Sequence, residues 1–165
     1  MSKQPALPRV GEGKRGVDGH IGYLLRQAAA AQRLRMERAL QDLAITPPQF
    51  TVLTMLHAYP ALSNADLARL SQLTPPTVSV IVANLLKRDL LTRHAHAEHG
   101  RIQQLLLSES GQHVLQQCKI RVAALEASLL DGLGAEAETI IRRWLVQVAQ
   151  PLNDEASALA GGGTA

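Results

Sequence analysis

The segment SNADLARLSQLTPPTVSVIVANLLKRDLLTR, residues 63–93, decides the fold. It opens with a short helical pattern that Ser63 or Asn64 can cap, because side-chain oxygens at this position accept hydrogen bonds from unpaired helix N–H groups. A second helical pattern follows Thr74, another capping residue, and its first turn holds two prolines where a missing N–H does no harm. Only the letters QL separate the two patterns. The segment therefore predicts two short helices that meet at a tight turn.

Two β-rich runs follow this helix pair. LLTRHAH and RIQQLLLS flank a polar tip that contains a glycine, which is the pattern of a β-hairpin. Two short helices joined by a tight turn and followed by a hairpin predict a winged helix-turn-helix. In that fold the second helix, the recognition helix, enters the DNA major groove. The hairpin is the wing.

Longer helical patterns lie on both sides of this module. One begins after Asp18 as cap and runs to about Leu43, and the next, ITPPQFTVLTMLHAY, begins at Thr46 as cap. Ser108 starts a helix that ends before DGLG, and a last helix carries Ile140, Ile141, Trp144, Leu145 and Val148 and stops before Pro151. These outer helices are too long and too apolar for so small a module alone, so we expect them to pack against a second copy of the chain.

The predicted fold class is therefore mainly α with a small β-hairpin wing: a winged helix-turn-helix with long N- and C-terminal dimerisation helices. One domain is expected over residues 18–150, with a DNA-binding lobe at about 46–107 and dimerisation helices at about 18–43 and 108–150. Residues 1–17 are expected to be a disordered basic arm, and residues 151–165 a flexible tail. The arm carries Lys3, Arg9, Lys14 and Arg15.

Composition narrows the class of protein. The 165 residues are 46% apolar but only 2% aromatic, so the core must be built from Leu, Val, Ile and Ala. The formal charge of +3 is a mild hint of an anionic partner. The only cysteine, Cys118, stacks on Val114 and Val122 at helical spacing, which predicts a core residue and no disulfide framework. With a single cysteine, a reducing cytoplasm is the expected location. No apolar run suits a membrane span or a signal peptide.

The recognition helix divides into two faces by its spacing. Val78, Ile81, Val82 and Leu85 recur at helical intervals and are expected to face the core. The other face can contact DNA bases through hydroxyls and through apolar contact with thymine methyl groups. Its candidate residues are Pro75, Pro76, Thr77, Ser79, Val80 and Asn84. Lys87, Arg88 and Arg93 flank the helix and suit phosphates.

The joint spacing of these segments resembles the MarR family of dimeric transcription regulators, over about residues 18–150. The resemblance rests on a Thr-Pro-x-Gln-Phe opening at Thr46, a Leu67-Ala68 pair, a Thr77-Val78-Ser79 recognition helix that ends in Leu85-x-Lys-Arg-x-Leu-Leu, and Gly111 in the fifth helix. It implies a homodimer that binds a pseudo-palindromic site in double-stranded DNA as a repressor. It also implies release by a small effector, often an aromatic anion. Candidate effector contacts are Tyr23, Arg26, His57 and Tyr59.

The wing departs from the family pattern. Where the family has an Asp pair that helps to hold a minor-groove arginine, this chain has His96 and His99, followed by Arg101. The resemblance implies that these three residues contact DNA, with Arg101 in the minor groove.

Two other functions remain open at this stage. The spacing His94-x-His96-x-Glu98-His99 resembles the zinc motif of metallo-β-lactamase-type hydrolases, which would make the chain a metal-dependent enzyme. That enzyme class needs a layered α/β sandwich and further ligands downstream, and only His113 follows. The other alternative is a helical interaction module without a DNA role. Our prediction is a DNA-binding regulator that is not an enzyme and needs no cofactor or metal.

Overall fold

The computed structural model describes residues 7–95 and 103–161, and it describes side chains for residues 7–94 and 104–150. The described residues form six α-helices and two β-strands in this order: α1 (Ile21–Leu40), α2 (Pro47–Ala58), α3 (Asn64–Ser71), α4 (Pro75–Lys87), β1 (Leu91–Ala95), β2 (Gln103–Leu107), α5 (Glu109–Leu129) and α6 (Ala135–Gly161). The fold class is the predicted one, mainly α with a single two-stranded hairpin in the described residues. No helix in these ranges is long and apolar enough to cross a membrane.

The chain divides into two compact units, Met1–Pro47 and Pro48–Ala165. The first unit contains α1, which ends at Leu40 and continues as a 3-10 turn over Gln41–Leu43, close to its predicted end. Its start is not the predicted one. The N-cap is His20, without a side-chain cap bond, and not Asp18.

The glycine-rich segment before α1 explains this correction. Residues 13–15 form a 3-10 turn in the stretch for which the sequence predicts no regular structure. The N–H of Gly19 then donates to the carbonyl of Gly16, which closes a further turn just before the helix. A Cβ at Gly19 would overlap the carbonyl oxygen of Lys14, so this close chain reversal needs glycine there. Asp18 is held inside the reversal and cannot cap α1.

The helix pair α3–α4 forms as the sequence predicts. Ser63 and Asp66 make a reciprocal capping box at the start of α3, and hydrogen bonds from Ser63 and then Arg69 lower the pKa of the Asp66 carboxyl. Helix α3 ends at Ser71 and is followed by its C-cap, Gln72, whose backbone is left-handed with φ 53°. Thr74 caps α4 by accepting a hydrogen bond from the N–H of Thr77. These local bonds fix both ends of the tight turn.

The hairpin is antiparallel and packs beside α4. Leu91 pairs with Leu107, and Arg93 pairs with Leu105. The buried leucines Leu91 and Leu105 therefore each have a fixed partner on the opposite strand. The core of the second unit draws on every element from α2 to α5. Its fully buried side chains are Val52, Leu53, Leu56, Leu67, Val78, Val82, Leu85, Leu115 and Cys118. This core holds α4 and the hairpin in place.

Helix α5 begins after Ser108 and ends at Leu129, both as predicted. Helix α6 differs at its end, because it continues to Gly161 and passes through Pro151, where the sequence predicts a stop. A proline within a helix removes one backbone hydrogen bond and clashes with the preceding turn, at a cost of about 3 kcal/mol.

Candidate nucleic-acid interface

Helix α4 has one buried face and one exposed face. Val78, Ile81, Val82 and Leu85 are buried, which confirms the core positions predicted from their spacing. The opposite face is exposed at each candidate DNA contact, and these are Pro75, Pro76, Thr77, Ser79, Val80 and Asn84. The helix therefore presents one continuous surface of small residues to an outside partner, with no acidic side chain on it.

Both hydroxyls on this face already have partners within the helix. The Ser79 hydroxyl donates to the carbonyl of Pro75 at 3.0 Å. The Thr77 hydroxyl lies 2.8 Å from that of Thr74, the capping residue. Each oxygen keeps lone pairs that can accept a further hydrogen bond. The face can thus accept a hydrogen bond from a DNA base, while the Ser79 proton is already donated within the first turn of α4.

Three basic residues lie at the end of α4 and the start of the hairpin: Lys87, Arg88 and Arg93. Residues 48–165 contain nine Lys and Arg against ten Asp and Glu, so that the overall charge of this unit does not attract an anion. Lys87, Arg88 and Arg93 nevertheless follow one another closely at this place, and their side chains are exposed. Their spacing around the end of a helix suits the contact of several phosphates.

Most of the predicted wing residues lie outside the described part of the chain: His96, His99 and Arg101. Their proposed contacts stay predictions. His94 is described and exposed, and its Nε2 lies 3.1 Å from the hydroxyl of Thr92. Among the described residues, no group of three His, Cys, Asp or Glu side chains could hold a metal ion.

The end of α4 is tied to the start of α5 by a small network of hydrogen bonds. Asp89 has a left-handed backbone with φ 55°, and its carbonyl accepts from the hydroxyls of both Ser108 and Ser110 at 2.6 Å. The N–H of Ser108 also donates to the carbonyl of Leu90 at 3.2 Å. A Cβ at Gly111 would overlap that same carbonyl, so the two segments are in close contact. We name Asp89, Leu90, Ser108, Ser110 and Gly111 the serine clasp.

The sequence points to only part of this clasp. Ser108 is predicted as a helix cap, and the structure confirms it, since Ser108 accepts from the N–H of Gly111 at 2.9 Å. The role of Ser110 is not predicted. The sequence gives only a weak signal for this bond, because a serine in the first turn of a helix usually has local hydrogen-bond partners. Here its partner is 21 residues away.

The four candidate effector contacts fall in different units. Tyr23 and Arg26 belong to the first unit, where the guanidinium of Arg26 lies 5.7 Å from the centre of the Tyr23 ring. His57 and Tyr59 belong to the second unit, and both are exposed at the end of α2. The structure thus brings Tyr23 and Arg26 together as a cation–π pair.

Helix α6 exposes large apolar side chains that the described residues leave uncovered. Ile140, Ile141, Trp144, Leu145 and Val148 recur at helical spacing and are exposed to an extent of 37–60%. A row of this kind marks an interaction surface.

Cys118 is fully buried, as its spacing predicts. Burial raises the pKa of its thiol, and the charges of Arg121 and Arg88 oppose the rise only in part. The neutral thiol is a poor nucleophile, which does not suit redox sensing.

Comparison with known proteins finds a matching family and a similar relative. The family model described as MarR family matches residues 45–102, which contain α2 to α4 and the first strand. The HTH-type transcriptional repressor Rv2887 of Mycobacterium tuberculosis is 31% identical over 128 residues, or 78% of this chain and 92% of the relative.

Two solved structures extend the likeness to the fold. The Mycobacterium tuberculosis MarR family protein Rv2887 in complex with salicylic acid is 30% identical, with a TM-score of 0.65 over 80% of this chain and 98% of the other. The transcriptional repressor CouR bound to a 23-mer DNA duplex is 25% identical, with a TM-score of 0.73 over 79% and 92% of the two chains. These likenesses favour a regulator over a metal-dependent hydrolase or an interaction module.

Proposed function

The chain belongs to the MarR family of transcription regulators, and on that premise we propose that it binds double-stranded DNA as a homodimer and represses transcription. A two-fold symmetric dimer presents two copies of α4, so its operator is pseudo-palindromic, with half-sites about one helical turn apart. Each α4 enters a major groove, and each wing, with His96, His99 and Arg101, lies along the neighbouring minor groove. The chain acts in the cytoplasm, without catalysis and without a cofactor.

The observation that carries this proposal is the exposed face of α4. Its residues are small and uncharged, its cations stand at the helix end, and the hairpin lies directly beside it. That combination suits a helix that lies deep in a groove while Lys87, Arg88 and Arg93 contact the phosphates at its edges. A helix that served only as a solvated surface would need no such separation of apolar and cationic residues.

The exposed row on α6 supports the homodimer. Five large apolar side chains on one helix suit burial against a second copy, which contributes the identical row across a two-fold axis. The helices proposed to form the dimer are α1, α5 and α6.

The experiment is a selection of bound duplexes from a random DNA library, followed by a fluorescence anisotropy titration of the selected operator. We expect an inverted repeat bound with nanomolar affinity at physiological salt and a stoichiometry of one dimer per duplex. Binding of all duplexes with equal affinity, or of none, would contradict the proposal.

We also propose that a small aromatic acid releases the protein from DNA. Support comes from the solved Rv2887 complex with salicylic acid and from the Arg26–Tyr23 pair, which offers a cation beside an aromatic ring. Tyr23, Arg26, His57 and Tyr59 remain the proposed contacts. An effector of this kind must bind the DNA-free form more tightly than the bound form.

Salicylate is the probe for this second proposal. We expect it to weaken operator binding by the wild-type chain and to have less effect on Arg26→Ala. Arg33→Ala is the matched control, since Arg33 lies on the same helix and pairs with Glu37 at 3.1 Å. Equal responses of the two variants would remove Arg26 from the effector site.

A further inference from the structure

The exposed face of α4 lacks the side chains that read guanine. Arginine and lysine make the commonest specific contact with guanine, and glutamine and asparagine pair with adenine. From Pro75 to Leu86 the helix contains no Arg, Lys, Gln, Asp or Glu, and its only amide is Asn84. The part of α4 that would lie deepest in a groove therefore has few means of direct polar readout.

Each of the two hydroxyls on this face already makes a hydrogen bond within the first turn of the helix. The hydroxyl proton of Ser79 goes to the carbonyl of Pro75, and Thr77 shares a hydrogen bond with Thr74. What these first turns present outward is mainly hydrocarbon: two proline rings, the methyl groups of Val80 and the methyl group of Ala83.

Val80 is the prominent member of this apolar surface. Its side chain is 61% exposed, although its neighbours Val78, Ile81 and Val82 are all buried. A β-branched residue has a lower helix propensity than alanine, and an exposed one gains little burial in return. Pro76 and Asn84 stand one turn before and one turn after it on the same side of the helix.

We propose that α4 reads thymine through apolar contact of Val80 with the C5-methyl group, and that Asn84 pairs with adenine one turn further along. The thymine methyl is the only apolar group that the standard bases present in the major groove, so it is the feature that a hydrocarbon surface recognises. The inference rests on the proposed binding of DNA and adds to it the kind of base pair that each half-site must contain. Val80 is thus a residue that determines specificity.

Deoxyuridine tests this contact directly, because it lacks the C5-methyl group and keeps the base-pairing of thymidine. Each thymine of the selected operator is replaced by deoxyuridine, one symmetric pair of positions at a time, and affinity is measured by anisotropy. Loss of one buried methyl weakens binding about fourfold, so we expect a loss on the order of tenfold for one symmetric pair. Other positions should change less than about twofold.

Two variants of α4 test whether Val80 is the residue that contacts the thymine methyl group. Val80→Ala should bind the thymidine and deoxyuridine duplexes equally, and circular dichroism should show an intact fold because the side chain is exposed. Asn84→Ala should bind the operator more weakly but keep the difference between the two duplexes.

The outcomes separate this inference from the proposed function. Failure to bind any duplex specifically would remove the DNA-binding function itself. Specific binding that no deoxyuridine replacement weakens, half-sites without an A·T pair, or a Val80→Ala variant that still discriminates between the duplexes would each overturn the thymine contact alone.

Discussion

The hydroxyl of Ser110 donates a hydrogen bond to the backbone carbonyl of Asp89 at 2.6 Å, across 21 residues of sequence. Asp89 follows the last turn of α4, and Ser110 lies in the first turn of α5. The bond therefore joins the proposed recognition helix to a proposed dimerisation helix, and the rest of the serine clasp reinforces it. Since the spacing between two recognition helices must match the half-sites, this rigid joint bears on DNA binding as well as on stability.

Ser108→Ala should lower the free energy of unfolding by about 1–2 kcal/mol, because it removes both a helix cap and a hydrogen bond to Asp89. Chemical denaturation measures the change. Ser128→Ala is the matched control on the same helix, since the bond that its hydroxyl donates is local, to the carbonyl of Leu125 at 2.7 Å. Equal losses in the two variants would show that the clasp adds nothing.

Gly111→Ala should destabilise the protein by about 1–3 kcal/mol, because the added methyl group would overlap the carbonyl of Leu90. Gly22→Ala provides the contrast. Gly22 lies in α1 with open space around the position of a Cβ, so that alanine there should raise stability by about 0.5–1 kcal/mol. Thermal unfolding measures the change in stability of both variants. If alanine raised stability at Gly111 as well as at Gly22, the close contact at Gly111 would be contradicted.

Cys118 should react slowly with iodoacetamide in the native protein at neutral pH. Its side chain is buried, and its raised pKa keeps the sulfur as the thiol, whereas the thiolate is the reactive form. Mass spectrometry should find rapid modification only after denaturant is added. Rapid native labelling, with loss of DNA binding, would instead indicate a cysteine that senses oxidants.

Trp144→Ala should shift the dimer toward monomer, because an aromatic side chain within an apolar row commonly dominates the energy of an interface. Sedimentation velocity over a range of protein concentrations measures the shift. Arg142→Ala is a control on the same helix, since Arg142 pairs with Glu138 at 2.7 Å outside the apolar row. If Trp144→Ala dimerised as strongly as the wild-type chain, the dimer interface would not include this part of α6.

Sequence predicts best those features that are local. The caps at Ser63, Thr74 and Ser108 are all found, because each cap bonds to a backbone group three residues ahead. The two faces of α4 are also predicted, since helical periodicity alone separates buried from exposed positions.

The features that sequence does not predict depend on distant partners. Asp18 fails as a cap because a reversal built on glycines ends nearer to the helix, at His20. The bond between Ser110 and Asp89 depends on how α5 meets α4, and no local pattern indicates it. The proposed effector contacts stay a prediction, since Tyr23 and Arg26 lie in one unit and His57 and Tyr59 in the other.

The most direct test of the central claim is the salt dependence of operator binding. Lys87, Arg88, Arg93 and Arg101 supply four proposed phosphate or groove cations from each subunit, and about eight such contacts in the dimer give a slope of log K against log salt near −7. Anisotropy titrations of the selected operator across a range of salt concentrations measure this slope. We predict a slope close to −7 for the wild-type dimer, reduced in magnitude by about 2 in Arg93→Gln. A slope flatter than about −2, or one that Arg93→Gln leaves unchanged, would contradict the proposed contact of α4 and the wing with DNA.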